Sequence, residues 1–72
     1  MEDIRKVVGR NVRRLREAQE LSQEELGFRA GIDRTYVSGV ERGVRNPTVT
    51  VLAKLAAALG SEPERLLSRN AK

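Results

Sequence analysis

Two residues, Gly31 and Ile32, are all that separates one helix-sized segment, opened by Ser22, from the next, opened by Asp33. Ser22 and Glu25 stand at the spacing at which a hydroxyl and a carboxylate each satisfy an orphan amide of a first helical turn. The helix they start covers residues 23–30, carries Leu26 and Ala30 on one face, and stops at Gly31. Asp33 caps the following helix, residues 33–42, and Gly43 offers the left-handed position that closes it. Segments this short do not persist alone in water, so both need neighbours. A two-residue link headed by glycine forces a sharp bend between them.

The rest of the chain is helical as well, because strict alternation is missing and the punctuation falls at helix-like intervals. From about Asp3 to Gln19, Ile4, Val7, Val8, Val12, Leu15 and Ala18 share one arc of a helical wheel. Arg16 falls at the edge of that arc. Arg5, Arg10, Arg13 and Arg14 occupy the far side, with Glu17 and Glu20 spaced to pair with arginines a turn back. After the loop Val44 to Pro47, Thr48 caps a helix whose Val49, Leu52, Ala53, Leu55, Ala56 and Leu59 cover most of its circumference, the pattern of a central core helix. Gly60 ends it. Pro63 pre-sets the first turn of a last short helix, about 63–68, that carries Leu66 and Leu67, and the tail beyond Ser68 is expected to fray. The expected fold class is all-α: five helices in one domain over residues 1–72, two of them forming a helix-turn-helix.

Composition narrows the chemistry. A chain of 72 residues buries only about 60% of its unfolded surface, which leaves no room for a second functional unit. Cysteine and histidine are both absent, which removes disulfides, the usual metal ligands, the thiol nucleophile and the commonest general base together. No cofactor or metal is expected, and an enzyme has no footing. The net charge of +4, mostly arginine, suits phosphate, carboxylate or acidic-surface partners. The longest apolar run, Leu55 to Leu59, is far short of a membrane span, and Glu2 and Asp3 stand where a signal peptide carries positive charge. A soluble, cytoplasmic protein is expected.

The third helix divides its circumference evenly. Arg34, Thr35, Ser38, Gly39 and Arg42 form one polar arc, while Tyr36, Val37, Val40 and Glu41 form the other. Arginines and hydroxyls on one face are the inventory that hydrogen-bonds guanine edges and phosphates in a major groove. Asp33 sits at the cap and Glu41 toward the core, so neither acid need face a polyanion. Gly39 costs about 1 kcal/mol of helix stability relative to alanine, which implies that something approaches the backbone there, DNA or a neighbouring helix. Tyr36 reads either as core with a wet hydroxyl or as a DNA contact.

The run LSQEELGFRAGIDRTYVSGVERGVRNPTVTVLAKLAAALG, preceded by VRRLREAQE, resembles the Xre/Cro-type helix-turn-helix family of lambdoid phage repressors and small bacterial regulators. Asp33 to Gly43 is most similar to the controller proteins of restriction-modification systems. The resemblance covers nearly the whole chain and implies a compact lambda-repressor-like domain. It implies base reading by Arg34, Thr35, Tyr36 and Ser38, and phosphate binding by Gln23, Arg42, Arg45 and Asn46. It also implies a partly buried salt bridge between Arg16 and Glu41, the residues at the margins of their apolar arcs. Gly39 departs from the pattern, since some relatives read a base with a longer polar residue there. Phe28, on the apparently solvent side of the second helix, and Glu62, where a serine-like cap is commoner, depart as well.

The expected function is that of a sequence-specific regulator of transcription, bound to double-stranded DNA as a homodimer on an inverted repeat, with RNA polymerase as a further partner. The last helix is too short to bury both of its leucines, so Leu66 and Leu67 are the expected dimer interface. The alternative is a protein-interaction module of the same fold, an antitoxin or adaptor, which Phe28 and Leu67 would favour if exposed together.

Overall fold

Four of the five helices begin where the chain supplies a side-chain acceptor for the orphan amides of a first turn. The computed structural model describes residues 2–69 and contains helices α1 (Ile4–Ala18), α2 (Gln23–Ala30), α3 (Arg34–Glu41), α4 (Val49–Ala58) and α5 (Pro63–Leu67), with no strand among those residues. Asp3 accepts from the Arg5 amide and Thr48 from the Val51 amide. Ser22 and Glu25 form the full reciprocal box, at 2.9 Å and 2.8 Å. Glu62 makes no such bond and α5 starts on Pro63 alone, as the missing serine-like cap suggests. The expected fraying tail beyond Ser68 falls mainly on residues 70–72, outside those described.

Gly31 turns the chain between α2 and α3 with φ of +70°, a conformation that costs L residues with a Cβ. The two helices pack on each other; α1 lies across α3 and α5, and α4 closes the far side against α2 and α5. The shared core comprises Val8, Val12, Leu21, Leu26, Ala30, Val37, Val40, Leu52, Leu55, Ala56, Leu59 and Leu66. Both short helices therefore rest on a common apolar floor. At Gly9 a Cβ would overlap the carbonyls of Val40 and Glu41, so its absence lets α1 approach the end of α3.

Several expectations about burial need correction. Val49 is 84% exposed and Ala53 is exposed too, because α4 lies at the edge of the bundle and leaves one side to solvent. Ala18 is likewise exposed at the end of α1. Arg14, assigned to the solvated side of α1, is half-buried. Asn11, absent from the apolar arc, is buried and donates to the carbonyls of Leu66 and Ser68, both at 2.9 Å. One side chain thereby ties the end of α5 to α1.

Candidate nucleic-acid interface

The floor of the site is an ion pair. Arg16 of α1 donates from Nε to Glu41 Oε2 at 2.6 Å and from Nη2 to Oε1 at 3.0 Å, and its Nη1 reaches the Leu21 carbonyl at 2.7 Å. The side chains are 11% and 2% exposed, so the paired geometry is what makes two charges tolerable there. Hydrogen bonding to Glu41 raises the Arg16 pKa above its ordinary value. Gln23 Nε2 adds a third donor to Glu41 Oε1 at 3.0 Å. The start of α2, the end of α3 and the last turn of α1 are thus fastened at one carboxylate. Gln23 retains a second amide N–H and stands at a helix N-terminus, where first-turn amides favour an anion.

With Glu41 held from below, the opposite face of α3 is free. Arg34, Thr35 and Arg42 are exposed and Ser38 is half-buried. Asp33, the N-cap residue of α3, turns its carboxylate onto the Thr35 amide at 2.6 Å, and Glu24 of α2 lines the depression beside it. Pairing of Arg34 with Asp33 or Glu41 would have made it an ordinary surface arginine, and neither pairing occurs. The contrast with α1 is informative. Arg5, Arg10 and Arg13 are neutralised by Asp3, Glu2 and Glu17, at 2.7, 2.6 and 3.3 Å. Among the described residues Arg34, Arg42 and Arg45 make no ion pair. α3 and the loop after it therefore carry unneutralised positive charge that a polyanion would find, as Lys6 and Arg14 of α1 also do.

Two groupings were not legible beforehand. Tyr36 is half-buried against the core, and the Arg45 guanidinium stands 5.4 Å from its ring centroid, within cation–π range. What packs on Gly39 within the protein is not the expected neighbouring helix but Arg45 of the following loop, whose Cγ lies 2.5 Å from where a Cβ would stand. Phe28 is 88% exposed and does not fold back on the core. It borders a shallow depression with Arg34 and Thr35, which places it on the rim of the polar face.

Elsewhere the expected site residues separate. Asn46 is exposed but lines a different groove, with Ile4, Val8, Pro47, Leu52 and Leu67. Leu66 corrects the dimer expectation, because it is fully buried in its own chain, held in the core from a five-residue helix. Of the two leucines only Leu67, 42% exposed, is open to a partner. Phe28 and Leu67 line different depressions and form no joint patch.

Among the described residues no His, Cys, Asp or Glu cluster suits a metal, and no helix is long and apolar enough to cross a membrane. The sequence matches the helix-turn-helix family over residues 12–66. It is 43% identical to the control protein C.SmaI of Serratia marcescens, over 93% of this chain and 80% of that one. The restriction-modification controller protein C.AhdI of Aeromonas hydrophila superposes with a TM-score of 0.83 at 50% identity, covering 86% of this chain and 94% of that one. The biofilm master regulator SinR, solved in complex with DNA, superposes at 0.81 with 31% identity, over 85% and 98% of the two chains. A bent pair of short helices, a braced third helix with a free basic face and these likenesses agree: the chain belongs to the helix-turn-helix family of DNA-binding transcriptional regulators and has the five-helix, lambda-repressor-like fold that its sequence resembles.

Proposed function

We propose that this protein regulates transcription by binding an inverted-repeat operator in double-stranded DNA as a homodimer. The observation that carries the reading is the free basic face of α3: arginines without ion pairs above a helix whose own acids are engaged at a cap and in a buried pair. In this reading Arg34, Thr35 and Ser38 reach base edges in the major groove, with Tyr36 beside them. Gln23, Arg42 and Asn46 hold phosphates, which fix register without carrying sequence information. Arg45 adds positive charge after the helix. The groove of Ile4 and Leu67 supplies the apolar contact of the dimer, which sets two copies of α3 about 34 Å apart in successive major grooves. Bound at a promoter, the dimer covers the polymerase site or touches polymerase from beside it. The likeness to C.AhdI and C.SmaI supports a controller of a restriction-modification system, in the cytoplasm of a bacterial cell.

Selection of binding sites from a randomised duplex pool at near-physiological salt tests this, because non-specific affinity fades there while specific affinity survives. Enrichment of an inverted repeat with half-site centres about one helical turn apart is expected. A folded protein that enriches nothing would defeat the reading. The exposed Phe28 is then the observation that favours an interaction module, and a partner lost on Phe28→Ala would be its sign.

A further inference from the structure

We infer that Asn11 is a positioning residue for the dimer: by donating to the two carbonyls that bracket Leu67, it fixes which face of α5 is offered to a second copy of the chain. The inference rests on the homodimer reading above and goes beyond it, since it puts the choice of contact face on α1 rather than on α5 itself.

Within itself α5 has little to hold its orientation. It is five residues long, has no side-chain cap at Glu62, and its closing bond, from the Ser68 amide to the Arg65 carbonyl, is stretched to 3.5 Å. A helix that short does not persist alone. Burial of a leucine is non-directional and would be met as well by Leu67 as by Leu66, so apolar packing does not choose between two neighbours about 100° apart. Asn11 makes the choice. Its Nδ2 donates to the carbonyls of Leu66 and Ser68, both at 2.9 Å, one on each side of residue 67. The two N–H groups of one amide serve both acceptors, and these directional bonds are met in a single rotation of α5, with Leu66 fully buried and Leu67 42% exposed. Arg69 extends the tie. Its Nη2 reaches the Glu2 carbonyl at 3.2 Å, which lays the chain after α5 along the start of α1, where Ile4 lines the same groove as Leu67. The other buried side chains of α1 are Val7, Val8 and Val12, and a further valine at residue 11 would serve the core without the cost of burying an amide. What the amide adds is orientation, as a single buried asparagine fixes register where apolar packing leaves it open.

The test reads the dimer constant by sedimentation equilibrium and the recognition surface by titration of a duplex holding one half-site. Asn11→Ala keeps a good helix former and admits water to both carbonyls. It is expected to raise the dimer dissociation constant by about 5- to 30-fold, the equivalent of ordering one backbone residue on association, while half-site affinity stays native. Asn11→Leu refills the space without a donor and should weaken the dimer in the same way. On a Leu67→Glu background neither substitution should change sedimentation further. A native dimer constant in either folded variant, or a loss of half-site affinity as large as the loss of dimerisation, would overturn the inference while leaving the homodimer reading intact. Should both variants unfold, the native protein decides: its Asn11 side-chain amide protons are expected to exchange with solvent more slowly as protein concentration rises through the dimer constant, because the clamp and the dimer stabilise each other reciprocally. Exchange independent of concentration in a protein that dimerises would overturn the inference. A native protein that is monomeric both free and on its operator would overturn the homodimer reading and this inference together.

Discussion

Arg34 is defined by what it does not do. Two carboxylates stand close in sequence, at Asp33 and Glu41, and each is occupied by another donor. A guanidinium held free at the first residue of a recognition helix supplies the bidentate fork that guanine edges accept. Arg34→Ala is expected to cost about 1 to 3 kcal/mol on the operator and to relax preference at one base pair. Competition against operators altered at single positions measures it, and an equal loss on random DNA would remove Arg34 from base reading. The polar arc of α3 was legible in the sequence because helical spacing alone sorts Arg34, Thr35 and Ser38 from Val37 and Val40. The role of Gly39 was not, since a wheel shows which residues share a face but nothing of a loop that returns to it. Phe28 is an outlier by its chemistry in the sequence, and the fold sets it on the rim beside Arg34 and Thr35.

At the scale of elements, the fold depends on fastening short helices that cannot stand alone, and the fasteners differ in how far sequence betrays them. The caps at Ser22, Asp33 and Thr48 are local, so spacing along the chain reveals them. Asn11 bonds carbonyls 55 and 57 residues away and Gly9 yields room to the end of α3, contacts that no local pattern contains. Arg16 and Glu41 lie between these cases: their positions at the margins of apolar arcs hinted at a pair that the family resemblance also implied. Glu41→Gln is expected to destabilise by about 3 to 5 kcal/mol, because it leaves the Arg16 charge half-buried without a counter-ion. A chain of this length has a total of about 4 to 11 kcal/mol to lose, so a chemical denaturation midpoint lowered by at least about a quarter, and to zero at the low end of that range, is the expected result. A near-native midpoint would show that the pair is dispensable. The start of α1 carries a pH signature. The Arg5 side chain and amide hold Asp3 at a pKa of about 2 against a usual 3.8, and Arg10 lowers Glu2 in the same direction. Depressed carboxylates stabilise the folded state above their unfolded values and lose that contribution as pH falls. The Asp3 contribution is complete above about pH 4 and disappears toward pH 2. Asp3→Asn should flatten that acid limb in a pH series of thermal melts; an unchanged limb would mean that the cap contributes nothing to it.

For the molecule as a whole the open question is how a domain this small acquires specificity, and the arithmetic favours two copies. One α3 reaches only a few base pairs, while two linked recognition helices raise avidity by about 10² to 10⁴ over one without any new contact. The apolar surface proposed for such a pair is that of Leu67 and Ile4, 42% and 41% exposed beside one groove, since Leu66 is committed to the core. Two adjacent leucines on a helix point about 100° apart, and the sequence pattern alone does not say which one faces inward. Leu67→Glu places a charge in that groove without opening the core, so the protomer should melt near its native temperature. Sedimentation should then show a monomer, and operator affinity should fall by about 10² to 10⁴ toward that of a single half-site, while contacts within each half-site persist. A native protein that sediments as a monomer both free and on its operator would end the dimer model. A Leu67→Glu protein that still dimerises would move the interface to another exposed apolar site, of which Val49 on the open side of α4 is the most exposed after Phe28.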